Sequence, residues 1–425
     1  MGQTPKDLEP SASPLHFFGA EVRRLRLLSG LSQADLGVRL MHSKDLVGKV
    51  EAALRMPSRD FVERCDEILT ADGMLRRLWP MLERENRLRN SHQLSTSNRG
   101  KGFHPEATDR PVLDWLLATT EETHPDGTDD VMVAGAADKL QQMRAADHSH
   151  GAGENYPDVS DYVRRRLRPL ADQAPHIAVG FLELAGYEAV DLGADGTAQQ
   201  HYLHALRVAT TRGERLYGGY LIGVSLAHLA LHCGVAEQAV RLATAALRGT
   251  ADRATPAVRA AFRVVLARGH ARLGNQVACF AALRSVERDL ACSTPADEPQ
   301  WIGYFGEADL ADEKAHCFFD LGQHQLAQRE VTAALALMES SRVRRLAIDT
   351  ALYASSLARS GGIDEAAVVA RAAVDHAAST ASFRSAHRIA LMLGELQPYA
   401  GVQPVRELAD YVRARFPIVP TISER

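Results

Sequence analysis

Residues 31–51, LSQADLGVRLMHSKDLVGKVE, read as two short helices joined by a tight turn. Ser32 is placed to cap the first helix, its hydroxyl accepting from an amide that would otherwise be orphaned, and Ser43 repeats the device for the second. Ala34, Leu36, Val38 and Leu40 are expected to line an inner face. In the second helix Leu46, Val47 and Val50 fall at the three- and four-residue spacings of one buried stripe. That leaves Lys44, Asp45, Gly48 and Lys49 pointing outwards. Two short helices, the second with a polar and partly basic outer face, form a helix-turn-helix, and that second helix fits a DNA major groove.

Further helices are expected on both sides of this pair. Phe17 to Leu28 offers Val22, Leu25, Leu27 and Leu28 to a core, and Ser58 to Leu69 offers Phe61, Val62, Cys65, Ile68 and Leu69. Gly73 to about Leu88 carries Leu75, Leu78, Trp79 and Leu82, with a kink expected at Pro80. With these in place, His16 to Leu82 resembles the helix-turn-helix of the XRE family of bacterial transcriptional regulators. Gln33 follows the capping Ser32, Ser43 opens the recognition helix, Glu51 closes it, and Pro57-Ser58 starts the next helix. The runs Cys65-Asp66-Glu67 and Leu75-Arg76-Arg77-Leu78-Trp79 are similar to the actinobacterial branch. Two positions depart from the family: Met41 stands where a turn glycine is usual, and Gly37 where alanine is usual.

The resemblance implies binding to double-stranded operator DNA. Gln33 and Ser43, at helix N-termini, would take phosphates. Lys44 and Asp45 would read bases, Lys bonding guanine acceptors and Asp accepting from cytosine N4. Lys49 and Arg55 would hold phosphates. Charge agrees with this placement. Between Val22 and Arg59 eight basic residues face three acidic ones, an excess of five, while the whole chain carries −4 and the remainder therefore −9. A basic patch on an otherwise acidic chain favours phosphate contact at one end only.

At 425 residues the chain is too long for one ordinary core, so more than one domain is expected. Aromatics are only 6%, and alanine is plentiful, which suits closely packed helices over sheets. The opening MGQTPKDLEP carries no apolar signal segment, and the most apolar run, Leu221 to Ala236, contains His228 and His232 and is too short to span a bilayer. Five cysteines without paired spacing fit a reducing cytoplasm. The expected order is a flexible arm (1–14), the helix-turn-helix domain (15–89), a linker (90–110), connecting helices (111–156) and a helical-repeat domain (157–418). The connecting stretch is read as helices over Val112–Ala118 and Val131–Ala146, with HSHGAGENYP breaking the chain after them.

Beyond Pro157 the punctuation repeats: Leu192-Gly193, Cys233-Gly234, Leu273-Gly274, Leu321-Gly322 and Ser360-Gly361, at intervals of 41, 40, 48 and 39 residues. After each mark a second helix is expected: Ala198–Ala209, Ala236–Leu247, Val277–Leu290, Gln325–Met338 and Asp364–Ala378. Each pair leaves an apolar side that only the next pair can cover, so the array stacks into a curved α-solenoid. The pairs resemble tetratricopeptide repeats, although the period is nearer 40 than the ~34 of that repeat and its Trp and Tyr consensus is mostly absent. A HEAT-like array is the competing assignment. The fold class is therefore all-α.

Enzymatic chemistry finds little support. His228 and His232 lie four apart, a metal-ligand spacing, but HLALH lacks the glutamate of the zinc-protease motif. His201 and His204 are no stronger. No phosphate loop or GxSxG is present. No catalytic residue, metal or cofactor is expected. The most distinctive stretch is Trp301 to Phe319, where Trp301, Tyr304 and Phe305 precede an acidic helix bearing Glu307, Asp309, Asp312 and Glu313. Aromatic anchors beside carboxylates suit a groove for a peptide or a cationic small molecule. Tyr220, His228, Trp301, Tyr304, Glu307 and Tyr353 are the candidate ligand residues, with Arg384 a weaker one. The reading that follows is a homodimeric, cytoplasmic, ligand- or partner-responsive transcriptional regulator, similar in domain order to the peptide-sensing quorum regulators of Gram-positive bacteria. The alternative is a helical-repeat adaptor that recruits a protein and binds no DNA.

Overall fold

The computed structural model describes residues 13–79, 81–82, 102–119, 130–380 and 382–415, and every element among them is helical. The expected arm, Pro80 and most of the expected linker lie outside the described residues. The chain divides into two compact units, within 1–93 and within 94–425.

In the first unit α1 (Pro14–Leu28) starts at Pro14, with Ser13 capping. It is followed by α2 (Gln33–Leu40), α3 (Lys44–Glu51), α4 (Arg59–Ile68) and α5, which begins at 74. The core joins Leu15, Phe18 and Val22 to Leu36, Leu40, Val47, Val50, Phe61 and Leu75. Two expectations fail here. Val38 is 78% exposed and Ala34 is exposed too, because alternate residues cannot share one face of a helix: 34 and 38 share one side, 36, 37 and 40 the other. In α1 Leu27 and Leu28 are exposed while Arg26 is buried, so the inner stripe runs Leu15, Phe18, Val22, Arg26.

The second unit opens with α6 (Asp109–Leu117), α7 (Asp130–His150) and α8 (Ala152–Gln173). The expected break at HSHGAGENYP shrinks to one residue, Gly151 at φ 81°, and Pro157 lies inside α8. Nor is α6 a mere connector: Trp115 is buried in the main repeat core, with Arg215 over its ring at 4.1 Å. The repeats follow as helix pairs. They are α9 (Pro175–Asp191) with α10 (Asp195–Arg212), then α11 (Arg215–Tyr220), a π-helical segment (Leu221–Leu226) and α12 (Ala227–His232) with α13 (Ala236–Gly249). Next come α14 (Pro256–Arg272) with α15 (Gln276–Ala291), and α16 (Glu307–Asp320) with α17 (His324–Leu337). The last are α18 (Val343–Arg359) with α19 (Ile363–Ala378), then α20 (Phe383–Leu396) and α21 (Gln403–Arg415).

The glycine punctuation has a physical cause. Gly193, Gly234, Gly274, Gly322 and Gly361 all have positive φ, between 69° and 88°. After α9 the amide of Gly193 bonds the Val190 carbonyl and that of Ala194 the Ala189 carbonyl, and the same crossed pair recurs after α12, α14, α16 and α18. This ending satisfies the last carbonyls and turns the chain back at once into the next helix.

The array curls until late helices meet early ones. Arg344 of α18 bonds Asp147 of α7 at 2.6 Å and Asp191 of α9 at 3.1 Å, all three buried. Arg384 of α20 reaches the same Asp191 at 3.2 Å, and the two guanidiniums lie over Tyr187 at 4.8 and 4.7 Å. Beside this cluster Glu188 is fully buried, with Asn155 Nδ2 donating to it at 2.6 Å. Burial, helped by the nearby Asp147 charge, pushes Glu188 up to about 9 from 4.5. The unfolded chain therefore releases this proton first, and stability falls as pH rises through that window. Glu188→Gln removes the term: thermal melts should show the variant gaining on the wild type from about pH 5 to about pH 8. A difference that does not change with pH contradicts a neutral buried Glu188.

Candidate functional site

The helix-turn-helix is pinned from within. Ser32 and Asp35 form a reciprocal cap at the start of α2, and Ser43 accepts from the Leu46 amide at 3.1 Å to start α3. Between them Met41 takes the left-handed conformation, φ 59°, that glycine adopts most readily. Gly37 answers a different need: a Cβ there would stand 2.8 Å from the His42 carbonyl oxygen, so the turn presses on α2 more closely than an alanine allows. At the far end of α3, Glu51 is buried and receives Arg26 Nε at 2.5 Å, Arg26 Nη2 at 2.9 Å and Gln33 Nε2 at 2.8 Å. One carboxylate thus ties α1, α2 and α3 together.

What this leaves outside is the face expected from the sequence. Ser43, Lys44, Asp45, Lys49 and Arg55 are exposed, and Asp45 and Lys49 pair across one helical turn at 2.8 Å. Such a pair in water is worth ~0.3–0.5 kcal/mol and opens readily for a phosphate or base. Gly48 instead turns towards the Gln33 side chain. Gln33 itself is half-buried, its amide nitrogen committed to Glu51, so its side chain acts as a strut at the helix start. Burying Arg26 with Glu51 removes one charge of each sign, and the excess of five over 22–59 stays on the surface.

The second unit contains a cavity of about 630 Å³. One wall is aromatic: Tyr217 stacks on Trp301 at 4.7 Å, and the Tyr220 and Tyr304 hydroxyls meet at 2.8 Å. The rest of the lining is rich in charge. Arg268 pairs with Glu313 at 2.6 Å, with His228 3.6 Å from the same carboxylate, and Arg345 pairs with Asp309 at 2.7 Å and Asp312 at 2.5 Å. Arg144 reaches Glu183 at 3.3 Å and the Tyr217 hydroxyl at 3.2 Å. Burial pushes the Tyr217 hydroxyl up to about 12 and lowers His228 and His232 below the ordinary imidazole value. Burial works to raise Glu313, but Arg268 and His228 outweigh it and hold the carboxyl below its ordinary value.

Of the candidate ligand residues, Tyr220, His228, Trp301 and Tyr304 line this cavity. Glu307 and Tyr353 do not. Glu307 is exposed at the start of α16, and Tyr353 packs against the cores formed by α16 to α21. Arg384 does line it, as do Arg268, Arg345, Arg388 and Asp349, which the sequence did not single out. Arg388 Nε and Nη2 have no hydrogen-bond partner among the described residues. His228 and His232 share a face as their spacing implies, yet each has its own carboxylate, Glu313 at 3.6 Å and Asp195 at 3.5 Å.

The buried Arg26–Glu51 pair sets a stability test. Glu51→Ala strands the guanidinium and should cost about 3–5 kcal/mol of the first unit's stability, while Arg26→Met combined with Glu51→Leu should cost far less. Chemical denaturation read from the first unit's transition checks both; equal losses would show that the cost is packing and not an unpaired charge.

Residues 18–79 match the family model described as a helix-turn-helix domain. No curated protein matches the sequence. Among solved structures the chain is similar to PlcR of Bacillus thuringiensis, determined in complex with the peptide PapR7 and DNA. Identity is 12%, covering 75% of this chain and 94% of that one, with a TM-score of 0.37, too loose to equate residues. Among the described residues no helix is long and apolar enough to cross a membrane. The chain is a helix-turn-helix domain followed by a domain of helical repeats.

Proposed function

We propose that the chain is a sequence-specific DNA-binding transcriptional regulator of the XRE type, cytoplasmic and homodimeric, whose tetratricopeptide-like repeats sense a ligand. The observation that carries this reading is the exposed face of α3, with Ser43, Lys44, Asp45 and Lys49 presented to solvent on a helix-turn-helix domain that keeps its basic excess. Lys44 and Asp45 read base edges; Ser43, Lys49, Arg55 and the start of α2 at Gln33 hold phosphates. A single head of this size covers few base pairs, so two heads spaced by one helical turn, ~34–36 Å, give a specific grip on a palindrome. The effector is a peptide or small molecule, or a protein partner in its place. A cavity of about 630 Å³ with an aromatic wall and convergent polar groups supports it. The effector acts only through its different affinity for two shapes of the repeats.

The test separates the two roles of the basic residues. Fluorescence anisotropy with a mixed-sequence duplex between ~50 and ~200 mM salt should show affinity falling steeply. Arg55→Ala should lower the salt slope by ~1 for every sequence, and Lys44→Ala should cost ~1–3 kcal/mol of discrimination between preferred and scrambled duplexes. Wild-type indifference to duplex DNA at the low-salt end contradicts the reading.

A further inference from the structure

A set of side chains at the charged end of the cavity has a purpose that neither DNA binding nor the ion pairs account for. Asp312 and His316 lie one turn apart on α16, with His316 Nε2 3.5 Å from Asp312 Oδ1. Asp349 arrives from α18, and one donor atom from each of the three lies within 4.8 Å of the others. Asp349 is fully buried and Asp312 is 6% exposed. Both oxygens of Asp349 and Oδ1 of Asp312 have no hydrogen-bond partner among the described residues. A buried carboxylate without donors costs several kcal/mol, and a cation held by one atom each of Asp312, His316 and Asp349 would satisfy oxygens left without one.

The neighbouring guanidiniums do not supply it. Arg345 gives Nη2 to Asp312 Oδ2 and Nη1 to Asp309 Oδ1, while its Nε stays 3.8 Å from Asp349. Arg268 is held by Glu313 at 2.6 Å, and Arg342 faces Asp309 at 3.6 Å. Arg345 occupies the outer oxygen of Asp312 and leaves the inner one free, which is how a supporting donor orients a carboxylate that ligates through its other oxygen.

We propose that Asp312, His316 and Asp349 form a binding site for one divalent first-row transition-metal ion. Two carboxylate oxygens and one imidazole nitrogen suit Zn²⁺, Mn²⁺, Fe²⁺ or Co²⁺. Donors bound at ~2.0–2.2 Å lie at most ~4.4 Å apart, so small side-chain rotations close the set. All three residues line the cavity, so the remaining coordination positions face the space where an effector would sit, open to water or to a donor atom of that effector. The site is independent of the regulator reading and survives if that reading fails.

The experiment uses the full chain, stripped with chelator and titrated with Zn²⁺ by calorimetry. The expected result is one ion per chain, with affinity at least tenfold weaker in Asp349→Asn and in His316→Gln, both near-isosteric. Circular dichroism confirms that each variant is folded. Co²⁺ added to the wild type should give visible bands of oxygen and nitrogen ligation, and the His316→Gln spectrum should differ. No uptake by the wild type overturns the proposal, as does undiminished uptake by either folded variant. If one substitution prevents folding, the other variant and the Co²⁺ spectrum decide.

Discussion

An eight-residue helix cannot hold itself in water, and α3, the element on which the functional reading rests, is that short. It is held by the carboxylate at its last turn. Glu51 reaches inward to Arg26 of α1 and Gln33 of α2, and the caps at Ser32 and Ser43 fix the other ends. A buried ion pair of this kind is weak evidence for net stability, because the desolvation of two charges offsets most of their attraction. Its value here is directional. Only one rotation of α3 puts Glu51 against Arg26, and that rotation leaves Lys44, Asp45 and Lys49 outside.

The repeat unit uses the same device on a larger scale. Alanine-rich helices pack closely but slide easily, and apolar contact alone leaves the curvature of such an array loosely defined. The cluster of Arg344, Arg384, Tyr187, Asp147 and Asp191 fixes it, since the guanidiniums of α18 and α20 have one set of partners, Asp147 on α7 and Tyr187 and Asp191 on α9. Curling brings the polar faces of α7, α9, α12, α14, α16, α18 and α20 around one space. The aromatic wall and the charged wall of that space come from segments that are distant in sequence.

What the sequence made legible was local. Capping serines, the stripe Leu46-Val47-Val50 and the glycine at each repeat end act within a few residues, and the helix pairs came out close to the structure's own limits for that reason. The misreadings have causes of the same clarity. Ala34 and Val38 point outwards because the alternating pattern that would bury them belongs to strands. Arg26 was counted among the surface charges, because a buried arginine cannot be told from a solvated one until its partner 25 residues on is in view. Part of the cavity is not legible: Arg345, Asp349 and Arg388 look like ordinary helix-surface charges, and only closure of the array turns them inward. Trp301 and Tyr304, singled out as aromatics beside an acidic helix, do line the cavity, whereas Tyr353 packs between helices.

The central claim is that the outer face of α3 distinguishes one duplex sequence from another. Selection from a pool of random duplexes, using the full chain at about 150 mM salt and sequencing what is retained, tests it directly. The account predicts enrichment of one short motif, repeated as an inverted pair a helical turn apart. A retained pool with the same base frequencies as the starting one, at every position, contradicts it.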